Sequence, residues 1–179
     1  MKTLLTAAQI DETLETLYEA IVADMDPKTE VAVVGIRSRG EILANRLTRR
    51  LTKRLGQNLL CGTLDITLYR DDLNAPRSGS QPTVRATEID FDVNDKVILL
   101  VDDVLHTGRS VRAAMDALTD LGRPRTVRLA VLVDRGDREL PIRADYVGIR
   151  AEAGPQEIVT VHLVEQDDVD EVIVEQADA

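Results

Sequence analysis

Apolar residues follow two spacings along the chain, and segments of the two kinds alternate. Helical spacing, with apolar residues every three or four positions, occurs over residues 6–24, 41–55 and 110–121. Short apolar runs, typical of buried strands, occupy Glu30–Ile36, Val97–Val101 and Thr126–Val133. Strands that alternate with helices predict an α/β fold, with a parallel core sheet flanked by helices on both faces. Ligands of such sheets bind at the carboxyl ends of the strands.

Polar residues, glycine and proline mark the ends of these elements. Thr6 is the predicted N-cap of the first helix, with Gln9 three residues later, and Gly56 and Gly122 end the other two helices. Weaker patterns predict further strands at 59–68, 146–148, 158–164 and 171–174. Residues 71–86 predict a long loop, and loops of that length are usually functional or disordered. Nothing marks a domain boundary, so residues 1–179 are predicted to form a single domain.

The composition excludes several classes of protein. It is 44% hydrophobic and 30% charged, as in globular proteins, and no apolar run is long enough to span a membrane. The apolar run near the start is short and soon meets Asp11, which argues against a signal peptide. A single cysteine, Cys61, supports neither a disulfide framework nor a thiolate metal site. These features predict a cytoplasmic protein.

The net charge of −10 is unevenly distributed. Residues 1–30 carry two basic and seven acidic side chains, and residues 151–179 carry nine acidic and no basic ones. Residues 31–150 hold 20 basic and 16 acidic side chains. An acidic chain is a poor general binder of nucleic acid, although a basic middle can hold a small polyanion. For most of these residues a solvated surface is the simpler interpretation.

Two adjacent carboxylates, Asp102 and Asp103, follow the predicted central strand in the stretch VILLVDDVLHTGRSVRAAMDAL. One interpretation is that an aspartate only caps the next helix. A second is a divalent-cation pocket of the receiver type, which needs further acids at other strand ends. The first strand ends instead in Arg37-Ser38-Arg39, which argues against that pocket. The third interpretation uses the whole turn.

In this third interpretation, the turn from Thr107 to Ser110 binds a phosphate. Gly108 allows close approach of the main chain, and successive N–H groups at a helix N-terminus favour an anion. The neighbouring carboxylates can accept hydrogen bonds from vicinal sugar hydroxyls, so a ribose 5-phosphate fits. A second anion-friendly turn, Ser38-Arg39-Gly40, points to phosphoribosyl pyrophosphate (PRPP), with Mg²⁺ held mainly by ligand oxygens and water.

The motif VILLVDDVLHTGRS resembles the PRPP-binding motif of type I phosphoribosyltransferases. Four further segments, VGIRSRGEILANRL, LDITLYRDDL, LGRPRTVRLAVLVDRGDRELPIRADYVG and EIVTVHL, resemble the bifunctional pyrimidine operon attenuation regulator / uracil phosphoribosyltransferase family. The resemblance covers roughly residues 4 to 175. It implies the type I fold with a small hood built from the chain-terminal segments. It also implies conversion of uracil and PRPP to UMP and pyrophosphate, UMP-dependent binding to pyrimidine-leader mRNA, and a homo-oligomer, a dimer or larger.

The resemblance implies roles for individual residues. Asp102 and Asp103 would hold the ribose hydroxyls and, with Arg39, are the predicted catalytic residues. Ser38, Arg39 and Gly40 would form the pyrophosphate loop, and the segment 69–85 resembles a flexible loop with Arg70 or Arg85 as its cation. The other predicted contacts to PRPP or UMP are Val104, Leu105, His106, Thr107, Gly108, Arg109 and Ser110. The predicted border of the uracil pocket is formed by Arg135, Arg138, Val147 and Ile149.

Several positions depart from the family pattern. His106 replaces a tyrosine, Asp137 replaces a histidine, and IRAEAGPQ (149–156) replaces a lysine–asparagine–x–proline–threonine–serine run. The first helix is acidic where family members commonly carry arginine and histidine. A basic run remains at Arg46, Arg49, Arg50, Lys53 and Arg54, either as a solvated face or as an RNA-contact face.

These departures fall on positions tied to RNA binding or the hood, so we rank the enzyme above the regulator. Two alternatives stay open: a nucleotide sensor with weak catalysis, and a transferase for another base.

Overall fold

The computed structural model describes residues 1–26, 29–56, 58–71 and 86–177. Within these residues, five parallel strands form the central sheet in the order β3-β2-β4-β5-β6. These strands are β2 (Val31–Ile36), β3 (Leu60–Leu64), β4 (Val97–Leu105), β5 (Thr126–Asp134) and β6 (Tyr146–Arg150). The predicted parallel core sheet is confirmed, and its carboxyl ends lie along one edge.

Helices cover both faces of this sheet. The helices α1 (Ala7–Asp24) and α2 (Arg39–Leu55) pack on one face, and α3 (Arg109–Leu121) packs on the other. Neighbouring strand residues point to opposite faces, so Leu99 belongs to the core under α1 and α2 and Leu100 to the core under α3. The uninterrupted apolar run of β4 is therefore explained by burial on both sides.

A smaller antiparallel sheet joins the two ends of the described chain. Its strands are β1 (Lys2–Thr6), β7 (Glu157–His162) and β8 (Glu171–Gln176), in the order β1-β8-β7. A single-turn helix, α4 (Val164–Asp167), connects β7 to β8. We refer to β1, β7, α4 and β8 together as the hood. His162 lies on β7, and its Nδ1 is 3.1 Å from Glu171 Oε1 on β8.

Most predicted elements are present, with shifted ends. The helix start at Thr6 is confirmed, because the Thr6 N–H donates to Gln9 Oε1 at 2.9 Å. The predicted strand 59–68 is too long: β3 ends at Leu64, and a 3-10 turn (Thr67–Tyr69) follows. That turn forms because the Asp65 carboxylate accepts the Thr67 N–H at 2.9 Å. No helix in the described residues has the length and apolarity needed to cross a membrane.

The central strand is longer than its sequence pattern predicts. β4 continues to Leu105, so Asp102 and Asp103 lie on the strand and not in the turn. The cause is main-chain pairing with β5, where Asp102 pairs with Val131 and Leu105 with Asp134. Because the two aspartates are polar, the sequence pattern placed the end of the strand before them. The hydrogen bonds to β5 continue past them to Leu105.

Candidate active site

The acidic pair lies at the carboxyl end of β4. Asp102 is buried and Asp103 is half-buried. The Asp103 N–H donates to Asp102 Oδ1, and the Val104 N–H donates to Asp103 Oδ1, both at 2.9 Å. Within the described part of the chain, neither carboxylate forms an ion pair with arginine or lysine. Their remaining oxygens can therefore accept hydrogen bonds from hydroxyl groups of a ligand.

Burial makes the charge of Asp102 costly. Desolvation raises the pKa of Asp102 well above its ordinary range, and repulsion from the adjacent Asp103 raises it further. A ligand hydroxyl that donates to this carboxylate stabilises the ionised form, which the protein alone supports poorly. The pair is thus better suited to binding than to holding the fold together.

Two glycines bring α2 against the acidic pair. A Cβ atom at Gly40 would lie 2.6 Å from the Val101 carbonyl oxygen and 3.1 Å from the Asp102 Cα. A Cβ atom at Gly35 would lie 2.5 Å from the Gly40 carbonyl oxygen and from the Glu41 Cα. Real Cβ atoms do not approach so closely, so only glycine permits this packing. The Ser38-Arg39-Gly40 turn is thereby held beside the end of β4.

A polar pocket of about 230 Å³ opens where the carboxyl ends of β2, β3 and β4 meet. It brings together seven of the predicted site residues, which are Ser38, Arg39, Arg70, Asp102, Asp103, Val104 and Ser110. Sequence reasoning did not assign three other polar residues of its wall: Arg37, Asp65 and Thr67. Arg37 stands in the quoted RSRG turn, and the other two lie in the quoted segment LDITLYRDDL. The signal that could have found them is their position just after β2 and β3, at the same edge of the sheet as the end of β4.

A smaller pocket of about 150 Å³ adjoins the first and is lined by residues 104–111. The two pockets share Val104 and Ser110. Gly108 has a φ of +93°, in the left-handed region that favours glycine, and it directly precedes the first residue of α3. The Thr107 hydroxyl accepts a hydrogen bond from the Arg109 N–H at 3.3 Å. This arrangement gives a concave turn at the start of a long helix, which suits an anion.

Arg138 supports the turn before α3 through hydrogen bonds to the protein. Its guanidinium donates to the carbonyl oxygens of His106, Gly136 and Ile142 at 2.7, 2.8 and 3.0 Å, and to Asp134 Oδ1 at 2.6 Å. Because its donors are directed at the protein, the structure places Arg138 as a support of the turn. The sequence predicted it at the border of a base pocket.

Arg109 also has protein partners. Its Nη1 lies 2.5 Å from Asp71 Oδ2, and its Nε lies 2.6 Å from Glu139 Oε2. Arg109 lines the smaller pocket, and its guanidinium bridges α3, Asp71 and the segment after β5. Arg70 lines the larger pocket, and Arg85 lies outside the described residues.

Arg135 connects the turn to the segment before the hood. Its Nη1 lies 2.9 Å from His106 Nε2, and its Nη2 donates to the Gly154 carbonyl oxygen at 3.1 Å. Its Nε is buried without a hydrogen-bond partner in the described structure. Burial lowers the pKa of His106, and the nearby Arg135 charge lowers it further, so the imidazole is neutral at pH 7. Val147 and Ile149 follow on β6, opposite Val131 and Val133 of β5.

Arg39 is held by the hood. Its Nε and Nη2 donate to Asp167 Oδ2 and Oδ1, at 3.1 and 2.8 Å. The hydrogen bond from Arg39 lowers the pKa of Asp167, so this carboxylate is ionised at pH 7. This pair joins the start of α2 to α4 across 128 residues of sequence.

Known proteins match the chain along nearly all of its length. A family model described as "Phosphoribosyl transferase domain" matches residues 2–168. The "Bifunctional protein PyrR" of Alkaliphilus metalliredigens is 49% identical over 172 residues, which cover 96% of this chain and 93% of that protein. That of Deinococcus deserti is 48% identical over 170 residues, covering 95% and 92%. The chain belongs to the PyrR family of phosphoribosyl transferases. The family membership predicted from the sequence motifs is confirmed.

The fold agrees with this assignment. A hypoxanthine-guanine phosphoribosyltransferase from Bacillus anthracis superimposes with a TM-score of 0.70, covering 99% of this chain and 98% of that one. The hypoxanthine phosphoribosyltransferase of Trypanosoma cruzi gives a TM-score of 0.69, covering 99% of this chain and 98% of that one. At 17% and 16% identity, this likeness concerns the fold alone. The predicted type I phosphoribosyltransferase fold is confirmed.

The basic residues in the run on α2 divide into two groups. Arg46 pairs with Glu165 and Asp170 of the hood, at 2.5 and 2.8 Å, and Arg50 pairs with Asp11 and Glu15 of α1. Among the described residues of this run on α2, the exposed side chains with no acidic partner are Arg49, Lys53 and Arg54. The basic run of α2 is therefore only partly available to a polyanion.

Proposed function

We propose that this chain transfers the 5-phosphoribosyl group of PRPP to uracil, giving UMP and pyrophosphate. The observation that carries the proposal is the pair of adjoining pockets at the end of β4. One is lined by the turn before α3, and the other holds two carboxylates that have no basic partner in the described structure. A sugar with a phosphate at one end fits this arrangement of acceptors and donors.

PRPP is placed across the two pockets. The 5-phosphate takes the N–H groups and hydroxyls of Thr107, Gly108 and Ser110 in the smaller pocket, with the dipole of α3 behind it. The ribose hydroxyls donate to Asp102 and Asp103. The pyrophosphate extends toward Ser38 and Arg39, at the start of α2. In this placement each phosphate group meets a helix N-terminus and the hydroxyls meet the carboxylates.

Mg²⁺ suits this pocket as a companion of PRPP. No group of three or more histidine, cysteine, aspartate or glutamate side chains converges in the described residues, so the protein alone supplies few ligands. Carboxylate, hydroxyl and phosphate oxygens are the hard donors that Mg²⁺ prefers, and it readily keeps several waters. Asp102 and Asp103 would hold the ion together with the oxygens of PRPP. When bound, it neutralises negative charge on the leaving pyrophosphate.

The reaction requires little general acid or base catalysis by protein side chains. Loss of pyrophosphate gives an oxocarbenium-like transition state, in which negative charge moves onto the leaving group. Arg39 and Arg37 line the pocket at that end and stabilise this charge. The two aspartates lie on the ribose side, where positive charge develops. His106 is not required as a base, because uracil N1 can attack once the leaving group is stabilised, and the N1 proton can pass to the departing pyrophosphate.

The base pocket is assigned to the carboxyl ends of β5 and β6. Val147 and Ile149 are half-buried there, and the buried Arg135 Nε provides a donor without a hydrogen-bond partner in the described structure. Uracil has carbonyl oxygens that such a donor can recognise. Arg138 is left out of the base contacts, since its donors are directed at main-chain carbonyls and Asp134.

Pyrophosphate release from PRPP tests this function. We expect turnover with uracil and MgCl₂, and much slower turnover with hypoxanthine, guanine or orotate. A phosphoribosyltransferase that accepts hypoxanthine and rejects uracil would overturn the choice of base. The variant Asp103→Asn should keep the fold and weaken PRPP binding, and unchanged PRPP affinity would remove Asp103 from the site.

A second function is regulation of pyrimidine-leader mRNA in response to UMP. The observation that favours it is the exposed basic patch of Arg49, Lys53 and Arg54 on α2. Each phosphate contact adds to a salt-dependent affinity, so losing one contact lowers the slope of log affinity against log salt by about 1. Filter binding to a leader stem-loop, with and without UMP at several salt concentrations, tests the role. An affinity for the stem-loop that is the same with and without UMP would exclude this regulatory function.

Assembly and location complete the proposal. We expect a homo-oligomer, a dimer or larger. We also expect a cytoplasmic location, in keeping with the single half-buried Cys61, which forms no disulfide in the described structure. Light scattering on the purified protein measures the oligomer mass, and a monomer at all concentrations would contradict this part.

A further inference from the structure

The ion pair between Arg39 and Asp167 connects the proposed pyrophosphate site to the hood. The two side chains meet as a fork, with Nε and Nη2 of the guanidinium on the two carboxylate oxygens. Arg39 is 26% exposed and Asp167 is 17% exposed, so the pair is largely shielded from solvent. Bidentate pairs of this kind fix the orientation of the guanidinium plane as well as its position.

Asp167 is itself held in place. Its Oδ2 also accepts the Leu163 N–H at 2.9 Å, and its own N–H donates to the Leu163 carbonyl oxygen at 2.7 Å. Leu163 is fully buried in the core that α1 and α2 share with the hood. The position of the Asp167 carboxylate, and with it the position of the Arg39 side chain, therefore depends on where the hood lies.

The pair is arranged with Arg39 toward the ligand pocket and Asp167 behind it. Arg39 lines the polar pocket at the end of β4, and Asp167 does not. A guanidinium has five N–H donors, and Asp167 takes two of them. The remaining donors of Arg39 are left for an anion in the pocket.

We propose that Asp167 is a positioning residue for the phosphoribosyl transfer. It holds the Arg39 guanidinium oriented for the pyrophosphate group of PRPP, and so makes PRPP binding depend on a docked hood. This inference rests on the proposed function. A long arginine side chain loses much rotamer freedom when it binds an anion, and Asp167 removes that freedom before PRPP arrives.

A second arginine of α2 provides a matched control. Arg46 lies two turns further along the helix and also pairs with the hood, through Glu165 and Asp170. It is absent from the wall of the pocket. Asp170→Asn therefore weakens an attachment of the hood without touching Arg39, while Glu165 still holds Arg46.

Steady-state kinetics with uracil, PRPP and MgCl₂ separate the two roles. For Asp167→Asn we expect the KM for PRPP to rise about tenfold and kcat to fall, because Arg39 also stabilises the leaving pyrophosphate, with the KM for uracil within about twofold of wild type. Asp167→Glu, which restores the charge, should recover part of the loss. Asp170→Asn should match the wild type. Equal KM values for PRPP in Asp167→Asn and Asp170→Asn would overturn the proposal.

Two measurements are independent of turnover. The Arg39 Nε–H signal in ¹⁵N NMR should be protected from exchange in wild type and Asp170→Asn, and exposed in Asp167→Asn. Titration calorimetry with PRPP and MgCl₂ should show about tenfold weaker binding for Asp167→Asn. A wild type that binds PRPP without using uracil would overturn the choice of base alone. An Nε–H that stays protected in Asp167→Asn would overturn the role of Asp167 alone.

Discussion

Gly40 lies against the main chain of Asp102, with no room between them for a side chain. A Cβ atom at position 40 would come within 2.6 Å of the Val101 carbonyl oxygen, and main-chain atoms cannot give way as the end of a side chain can. The start of α2 and the end of β4 are therefore joined through a glycine. The proposed pyrophosphate loop and ribose-binding pair owe their proximity to this contact.

Gly40→Ala should separate these two elements. We expect the free energy of unfolding to fall by about 1–3 kcal/mol, as for other overpacked sites, and PRPP binding to weaken. Urea unfolding and titration calorimetry measure the two effects. Gly154→Ala is the control, because its Cβ would meet nothing closer than Glu157 Oε2 at 3.4 Å. A stable Gly40→Ala protein with wild-type affinity would contradict the packing described here.

Asp102→Asn should stabilise the fold while weakening ligand binding. Burial raises the pKa of Asp102, so the folded state binds its proton more tightly than the unfolded state does. Wild-type stability therefore falls as the pH rises from about 4, the ordinary value for aspartate, through the raised pKa. The asparagine variant lacks this loss, and we expect it to be about 1–2 kcal/mol more stable at pH 7.

The same substitution should reduce PRPP affinity about tenfold or more, because hydrogen bonds to a charged acceptor contribute about 1.5–3 kcal/mol. Urea unfolding between pH 4 and 8, together with calorimetry, tests both parts. Asp103→Asn is the comparison, since Asp103 is only half-buried and its replacement should weaken binding without the gain in stability. A pH dependence of stability that is the same in wild type and Asp102→Asn would count against the buried charge.

Arg138→Ala should loosen the turn before α3. The guanidinium holds the carbonyl oxygens of His106 and Gly136, and truncation leaves them without this donor. We expect a loss of about 2–4 kcal/mol in the free energy of unfolding. Amide hydrogen exchange in residues 106–110 should become faster. Arg143→Ala, at an exposed position, should be neutral, and equal effects of the two variants would argue against the support role.

The attachment of the hood should depend on pH through Arg46. Hydrogen bonds from Arg46 lower the pKa values of Glu165 and Asp170 below their ordinary range. Their contribution to stability is present above the unfolded pKa values, near 4, and is lost as the pH falls through the lower folded values. Arg46→Met should therefore show a shallower loss of stability between about pH 5 and 2.

Because Glu165 is partly exposed, we expect this contribution to be no more than about 1 kcal/mol. Urea unfolding at several pH values compares the two proteins. An Arg46→Met profile parallel to that of the wild type would mean that solvent screens the pairs completely.

The main features of the fold follow from local pattern, and the details of the site do not. The apolar run of β4 and the Thr6–Gln9 cap are visible in neighbouring residues, and both predictions are confirmed. The end of β4 depends on pairing with β5, and β1 depends on β8, so neither can be read from its own segment. A strand of five residues with no long alternation gives little signal before its partner is known.

The sequence motifs did lead to the correct edge of the sheet. Ser38, Asp102 and Ser110 are far apart in sequence and line one pocket, as expected for turns at the carboxyl ends of parallel strands. The direction of long arginine side chains was not predictable, because it depends on partners elsewhere in the chain. Arg138 donates to main-chain carbonyl oxygens, and Arg39 pairs with Asp167, which lies 128 residues away in the sequence.

The middle strand of the hood comes from residues 171–176, and it pairs on one side with residues 2–6. During synthesis, β1 must wait until residues 171–176 have left the ribosome before it can pair with β8. A product interrupted before residue 167 would have the polar pocket residues but no Asp167 to orient Arg39. Under the proposed role of Asp167, PRPP would bind tightly only to polypeptides whose translation has passed α4 and β8.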